Sequence, residues 1–204
     1  MATQSVRIGW RPYVNVVTQV VNAVDADATA FITAAGITNL TQASAINTLV
    51  TDLKGYGIWT KMKALYPMVG GSAAQHRFNL KDPRTINAAF YLDFIGGWTH
   101  SSTGALPNGT TGYADTKFTI SQIYPSSITN IHISYYSRTN NTTAAIDMGS
   151  IGDGANFFLQ LYSSVLLGSR SSIQRNDTDY AFFSSTNRQG LFIGNSTASN
   201  SQKI

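Results

Sequence analysis

Ten aspartates and three histidines are the only carboxylate, imidazole or thiol side chains in this chain, which has no glutamate and no cysteine. Glycoside hydrolysis needs two carboxyl groups, about 5 Å apart for retention and farther apart for inversion. The close aspartate pairs are Asp25 with Asp27 and Asp177 with Asp179. The first reads as a helix N-cap and the second as part of a turn, "RNDTDY". His76, His100 and His132 are far apart, and none has a second ligand at metal spacing. His132 alternates with Ile131 and Ile133, so it is expected on the solvent side of a strand. Composition leaves a Ser-His-Asp triad open, but no G-x-S-x-G elbow marks one. These residues lead us to expect no enzyme activity, no catalytic residue, no metal and no cofactor. Calcium is the one ion suited to such hard oxygen donors, which cluster near Asp177 and Asp179.

A different chemistry is suggested by "FIGGWTHSSTGALPNGTTGYADTKF", residues 94–118. Pro107-Asn108-Gly109 signals a tight turn with positive φ at the glycine. Around it stand Trp98, Tyr113 and Asp115, with Asn108 in the turn itself. An aromatic face can stack on a sugar ring while Asn and Asp bind its hydroxyls. Trp98, Asn108, Tyr113 and Asp115 are therefore the candidate glycan-binding residues. The competing reading is a core tryptophan beside a solvated loop.

Charged residues make up 12% of the chain, about half the usual share. The polar surface is thus built from Ser, Thr, Asn and Gln, which depend little on salt or pH. The net charge of +4 is scattered, with "KMK" at Lys61 and Lys63 the densest cluster. A nucleic-acid binder concentrates its cations on one face, so no nucleic-acid partner is expected. The run "VNVVTQVVNAV" is too short and polar to cross a membrane. The start lacks a basic-then-apolar signal pattern, so synthesis in a cytoplasm without a cleaved signal is expected.

Two helices are predicted over residues 25–57. Asp25 or Asp27 caps the first, Ala28, Phe31, Ile32 and Ala35 share a face, and Gly36 stops it. The second opens at Asn39 or Thr41, carries an apolar stripe of Ile46, Leu49, Val50 and Leu53, and ends at Gly55 and Gly57. From residue 58 short apolar or alternating runs alternate with Gly, Asn, Ser and Pro clusters. The predicted strands are 76–80, 88–94, 117–120, 131–137, 144–149, 156–162, 164–168 and 190–194. With no helical run between them, an antiparallel β-sandwich or jelly roll is expected.

"DADATAFITAAGITNLTQASAINTLVTDLKGYGIWTKMKALYPMVGGSAAQHRFNLKDPR", "GGWTHSSTGALPNGTTGYADT" and "ISYYSRTN", in that order, resemble a segment of virion structural proteins of tailed phages. Those phages mostly infect Bacteroidetes and marine bacteria, and the proteins are commonly labelled tail or head fibre proteins. The resemblance spans roughly residues 25–200. It implies a mostly-β, concanavalin-like, laminin-G-like sandwich behind the two short helices. Family members run several dozen residues past "GNSTASN", so the resemblance implies either a short member or a sandwich of residues 23–204 whose closing strands come from another segment or subunit. Residues 1–22 fall outside the resemblance and are expected to form an attachment arm, with Val6, Ile8, Trp10 and Tyr13 as contact residues. The implied protein is a fibre or decoration protein of the virion, assembled in the host bacterial cytoplasm. Its implied partners are other virion proteins, copies of itself in a homotrimer, and a host surface glycan. The alternative is a glycan-cleaving depolymerase on the same fold.

Overall fold

A computed structural model describes residues 24–119, 122, 131–140, 145–151, 158–163, 169–174, 187, 189–198 and 201–203. Val6, Ile8, Trp10, Tyr13, Asp177, Asp179 and the strand expected at 164–168 lie outside them.

Helix α1 runs Ala26–Ala34 and α2 runs Leu40–Gly55. Each start is set by one side chain. Asp25 Oδ1 accepts from the Asp27 N–H at 2.9 Å, and Asn39 Oδ1 accepts from the Gln42 N–H at 3.1 Å. Both helices end alike. Gly36 and Gly57 adopt φ of +62° and +68°, and the following residues, Ile37 and Ile58, donate their N–H back to Ile32 O and Leu53 O. This reversal closes the last turn and needs a residue that tolerates positive φ.

The helices lie antiparallel. The Asp25 N–H donates to Asn47 Oδ1 at 2.7 Å, and Lys54 Nζ reaches Asp25 Oδ1 at 2.7 Å and Asp27 Oδ2 at 2.6 Å. Lys54 so near lowers the Asp25 pKa. Phe31, Ile46 and Val50 are buried with Trp59 and Leu80, while Leu49 and Leu53 pack only partly against them. The predicted stripe therefore splits, because α2 rests on the 58–80 segment along one edge. Ile46→Ala is expected to cost about 2–5 kcal/mol, whereas half-covered Leu49→Ala should cost clearly less. Urea unfolding of the two variants checks this order.

Residues 58–92 wrap the helix pair mostly without regular structure. A single turn of 3₁₀ helix at Trp59–Lys61 and the short α3, Ala73–His76, are its first helical pieces. Neither strand expected here forms as drawn. His76 closes α3, Asn79 turns inward, and Asn79–Asp82 makes an isolated bridge. Asn87–Ala89 is another 3₁₀ turn, broken by Phe90 at φ +56°. The strand begins only at Asp93.

All described strand pairs are antiparallel. β1 (Asp93–Ile95) pairs with β4 (Tyr113–Asp115) around an inner hairpin of β2 (Trp98–Ser101) and β3 (Gly104–Pro107). The stretch read from sequence as a loop is thus two nested ladders. Its glycines permit the crossing: a Cβ on Gly96 would lie 2.1 Å from the Thr111 carbonyl oxygen, and one on Gly112 2.5 Å from Gly97 O. Phe118 packs edge-on against Phe90 at 5.4 Å and lies in no strand, contrary to the expectation for 117–120.

Farther on, β5 (Ile131–Ser137), β9 (Gly190–Ala198) and β10 (Ser201–Lys203) form one sheet in the order β10-β9-β5. β6 (Ala145–Ile151), β7 (Phe158–Ser163) and β8 (Ser169–Gln174) form a meander. Ile133 and Phe192 are buried, with Tyr135 and Met148 packed on them. The architecture is therefore a helix pair with its own core followed by small antiparallel sheets.

Candidate functional site

Pairing of β1 with β4 puts Asp93 opposite Asp115 and Ile95 opposite Tyr113. These four residues share one face, since alternate residues of a strand point the same way. Two carboxylates directly opposite repel. Lys117 relieves this: its Nζ lies 3.0 Å from Asp93 Oδ2 and 3.4 Å from Asp115 Oδ2. The Lys117 pKa is raised, chiefly by its hydrogen bond with Asp93. Arg77 also approaches Asp93, with a guanidinium nitrogen 3.7 Å from Oδ1. Lys117 adopts φ +60°, and its N–H donates to Asp115 Oδ1 at 2.8 Å. A lysine in this left-handed region is a local strain that its surroundings must hold.

The four glycan candidates have different environments. The Asn108 side chain closes the 107–112 turn: Oδ1 accepts from the N–H groups of Thr110, Thr111 and Gly112 at 3.1, 3.0 and 2.9 Å, and Nδ2 donates to Thr111 Oγ1. Gly109 has φ +77°, as the turn signal predicts. The Trp98 indole N–H is shared between Ile95 O at 3.1 Å and Tyr113 O at 3.3 Å. Its ring meets Phe94 edge-on and stacks on His100. Trp98 and Asn108 thus brace the strands. Tyr113, 57% exposed, and the half-buried Asp115 are the two presented on one face.

Asp93 and Lys117 complete this cluster and were missed in the sequence. The Asp-x-Lys spacing at 115–117 was a legible signal for a side chain-to-backbone turn. Asp93 carried no signal, because only strand register brings it opposite Asp115.

Behind the face, His76 of α3 and His100 of β2 meet with Nδ1 atoms 2.9 Å apart. Their ring centroids lie 5.1 Å apart. That is close to the N···N distance plus a ring radius at each end, so the nitrogens point at one another rather than converging on a third atom. Such geometry is a hydrogen bond, not a chelate. His76 is 1% exposed and its Nε2 has no partner. Burial lowers its pKa, with His100 adding to the effect, and burial lowers that of His100 too. Among the described residues no group of three or more His or Asp side chains could hold a metal ion. No helix there is long and apolar enough to cross a membrane.

Comparison with known proteins returns no matching family model, no matching curated protein and no matching solved structure.

Proposed function

We propose that this chain is a structural protein of a tailed-phage virion, a fibre or decoration protein that displays a lectin-like module toward a host surface glycan. The observation that carries the binding half of this reading is the β1–β4 face. An exposed tyrosine stands there beside a carboxylate–lysine–carboxylate cluster. The ring offers a stacking surface, and the fixed charges offer directed partners for sugar hydroxyls. The virion half rests on the resemblance over residues 25–200 and on a surface poor in charge. In this reading the small sheets are parts of a concanavalin-like sandwich, residues 23–204 are one unit, and residues 1–22 attach it to other virion proteins or to copies of itself in a homotrimer.

Binding of the purified protein to an array of bacterial polysaccharides tests the face. Tyr113→Ala is expected to weaken the best glycan by about tenfold, the equivalent of ~1.4 kcal/mol, with the melting temperature unchanged. Retained binding would remove this site. Attachment has its own test. Deleting residues 2–20 should leave a folded domain that fails to enter particles, and a truncation that unfolds would assign those residues to the core instead.

The alternative, a depolymerase on the same fold, draws on the opposed pair Asp93 and Asp115. Lys117 Nζ, 3.0 and 3.4 Å from them, fills the space that a glycosidase gives to its scissile bond, so this reading requires the lysine to swing away as substrate enters. Release of reducing ends from a bound polysaccharide would favour this alternative.

A further inference from the structure

The outer face of the β5–β9 ladder carries an arrangement independent of the glycan site and of the virion reading. His132 stands directly opposite Asn195, and Ser134 follows two residues along the same face of β5. His132 Nδ1 lies 2.7 Å from Asn195 Oδ1, and His132 Nε2 lies 3.0 Å from Ser134 Oγ. The chemistry of the partners sets the protons. A carbonyl oxygen only accepts, so the imidazole carries its hydrogen on Nδ1 and donates it to Asn195. The lone pair then sits on Nε2, and the Ser134 hydroxyl must donate to it. A hydroxyl donating to a base, with the base oriented by a third group, is the geometry of an activated nucleophile.

We propose that Ser134, His132 and Asn195 form a nucleophilic serine site that hydrolyses carboxylic esters with short acyl groups. Ser134 Oγ attacks the ester carbonyl carbon and forms the new C–O bond while its proton passes to His132 Nε2. The tetrahedral adduct breaks its bond to the alkoxy oxygen, which leaves with that proton as an alcohol, and Ser134 is acylated. Water then gives a proton to Nε2 and attacks the acyl carbon. The acid departs, and Ser134 Oγ regains its proton. Ser134 and His132 are catalytic residues, and Asn195 is a positioning residue that holds the Nδ1–H tautomer throughout.

The surroundings select the substrate. Tyr136 and Leu191 face each other across the strands next to Ser134 and are 67% and 61% exposed. They make an open apolar ledge rather than an enclosed acyl pocket, which suits a short acyl group on an accessible alcohol. Among the described residues β5 is the outer strand of its sheet, so substrate can approach across the edge as well as onto the face.

The test uses the full chain with p-nitrophenyl acetate as substrate and a fluorophosphonate as covalent probe. The expected result is a fluorophosphonate adduct mapped by mass spectrometry to Ser134. Ester turnover should fall by about 100-fold or more in Ser134→Ala and in His132→Ala. These three side chains lie on a sheet face, and unchanged melting temperatures confirm that each variant is folded. Asn195→Ala should lower kcat at constant KM, and Asn195→Asp should restore it, a rescue that a merely structural role would not produce. The proposal is overturned if the probe ignores Ser134, if His132→Ala labels as fast as the parent, or if Ser134→Ala keeps its turnover.

Discussion

Asn79→Ala is expected to cost about 2–5 kcal/mol of folding stability, although it removes only a small polar side chain. Asn79 is 0% exposed and ties together the wrapping segment that the helix pair rests on. Its Oδ1 accepts from the N–H groups of Leu65 at 2.9 Å and Lys81 at 3.0 Å, and its Nδ2 donates to Ala89 O at 3.0 Å and Lys63 O at 3.4 Å. Four backbone groups from an irregular segment are satisfied by one amide. Removing it strands two donors and two acceptors that no strand or helix can serve. The neighbouring Leu80 N–H to Leu65 O bond at 2.8 Å belongs to the same crossing and should loosen with it. Asn79→Leu separates volume from polarity. It fills the space yet leaves the same groups unpaired, so it should be about as unstable as the alanine variant. A leucine variant within about 0.5 kcal/mol of the parent in urea unfolding would show that packing, not hydrogen bonding, governs this position.

The second large effect is acid sensitivity. One proton can occupy the space between the facing Nδ1 atoms of His76 and His100. The neutral pair can hold that proton on His76 Nδ1, which leaves His76 Nε2 bare in its buried, partnerless position. Any cation of the pair places a proton on Nε2 of both rings, and on His76 that N–H finds no acceptor. A dication would press two N–H groups together. The folded pair therefore binds fewer protons than the unfolded chain, in line with the lowered pKa of each. Stability is fully present above the ordinary histidine pKa of about 6.5 and is lost as pH falls below it, by up to ~1.4 kcal/mol per pH unit for each proton of difference. Asp25 and Asp82, whose pKa values are also lowered, act only in more acidic solution. Melting temperature is expected to fall between pH 7 and pH 5 in the parent and to flatten over that window in His76→Phe. Parallel pH curves for the two proteins would exclude the pair as the cause.

Much of the local structure was legible because its causes are local. Asp25 and Asn39 cap helices whose first N–H groups lie two or three residues away, and Gly36 and Gly57 end them by a backbone reversal that side chains resist. Pro107-Asn108-Gly109 made its turn for the same reason, and alternation marked β5 at residues 131–137. The strands expected at 76–80 and 88–94 failed because apolar alternation does not show that Asn79 turns inward or that Phe90 takes a positive φ. The antiparallel strand texture formed as small sheets beside a helix core of its own, while their assembly into a sandwich is a matter of long-range packing that alternation does not encode. The expectation of no enzyme rested on missing glutamate and a missing elbow motif. The serine site proposed on β5 and β9 would leave neither trace, because it would be assembled across paired strands.

What the sequence determined by itself is therefore the charge-poor surface, the capped and terminated helices, the tight turn and the strand-rich texture, since each depends on residues within a few positions of one another. Tertiary structure alone decided which side chains meet. His76 lies 24 residues from His100, and His132 lies 63 residues from Asn195. Asp93 meets Asp115 only in the register of β1 on β4. Register has a period of two, so a slip of one residue would send each of these strand-borne side chains to the opposite face. The pattern of a single strand does not contain its partner's alignment, and that alignment is what turns scattered polar residues into sites.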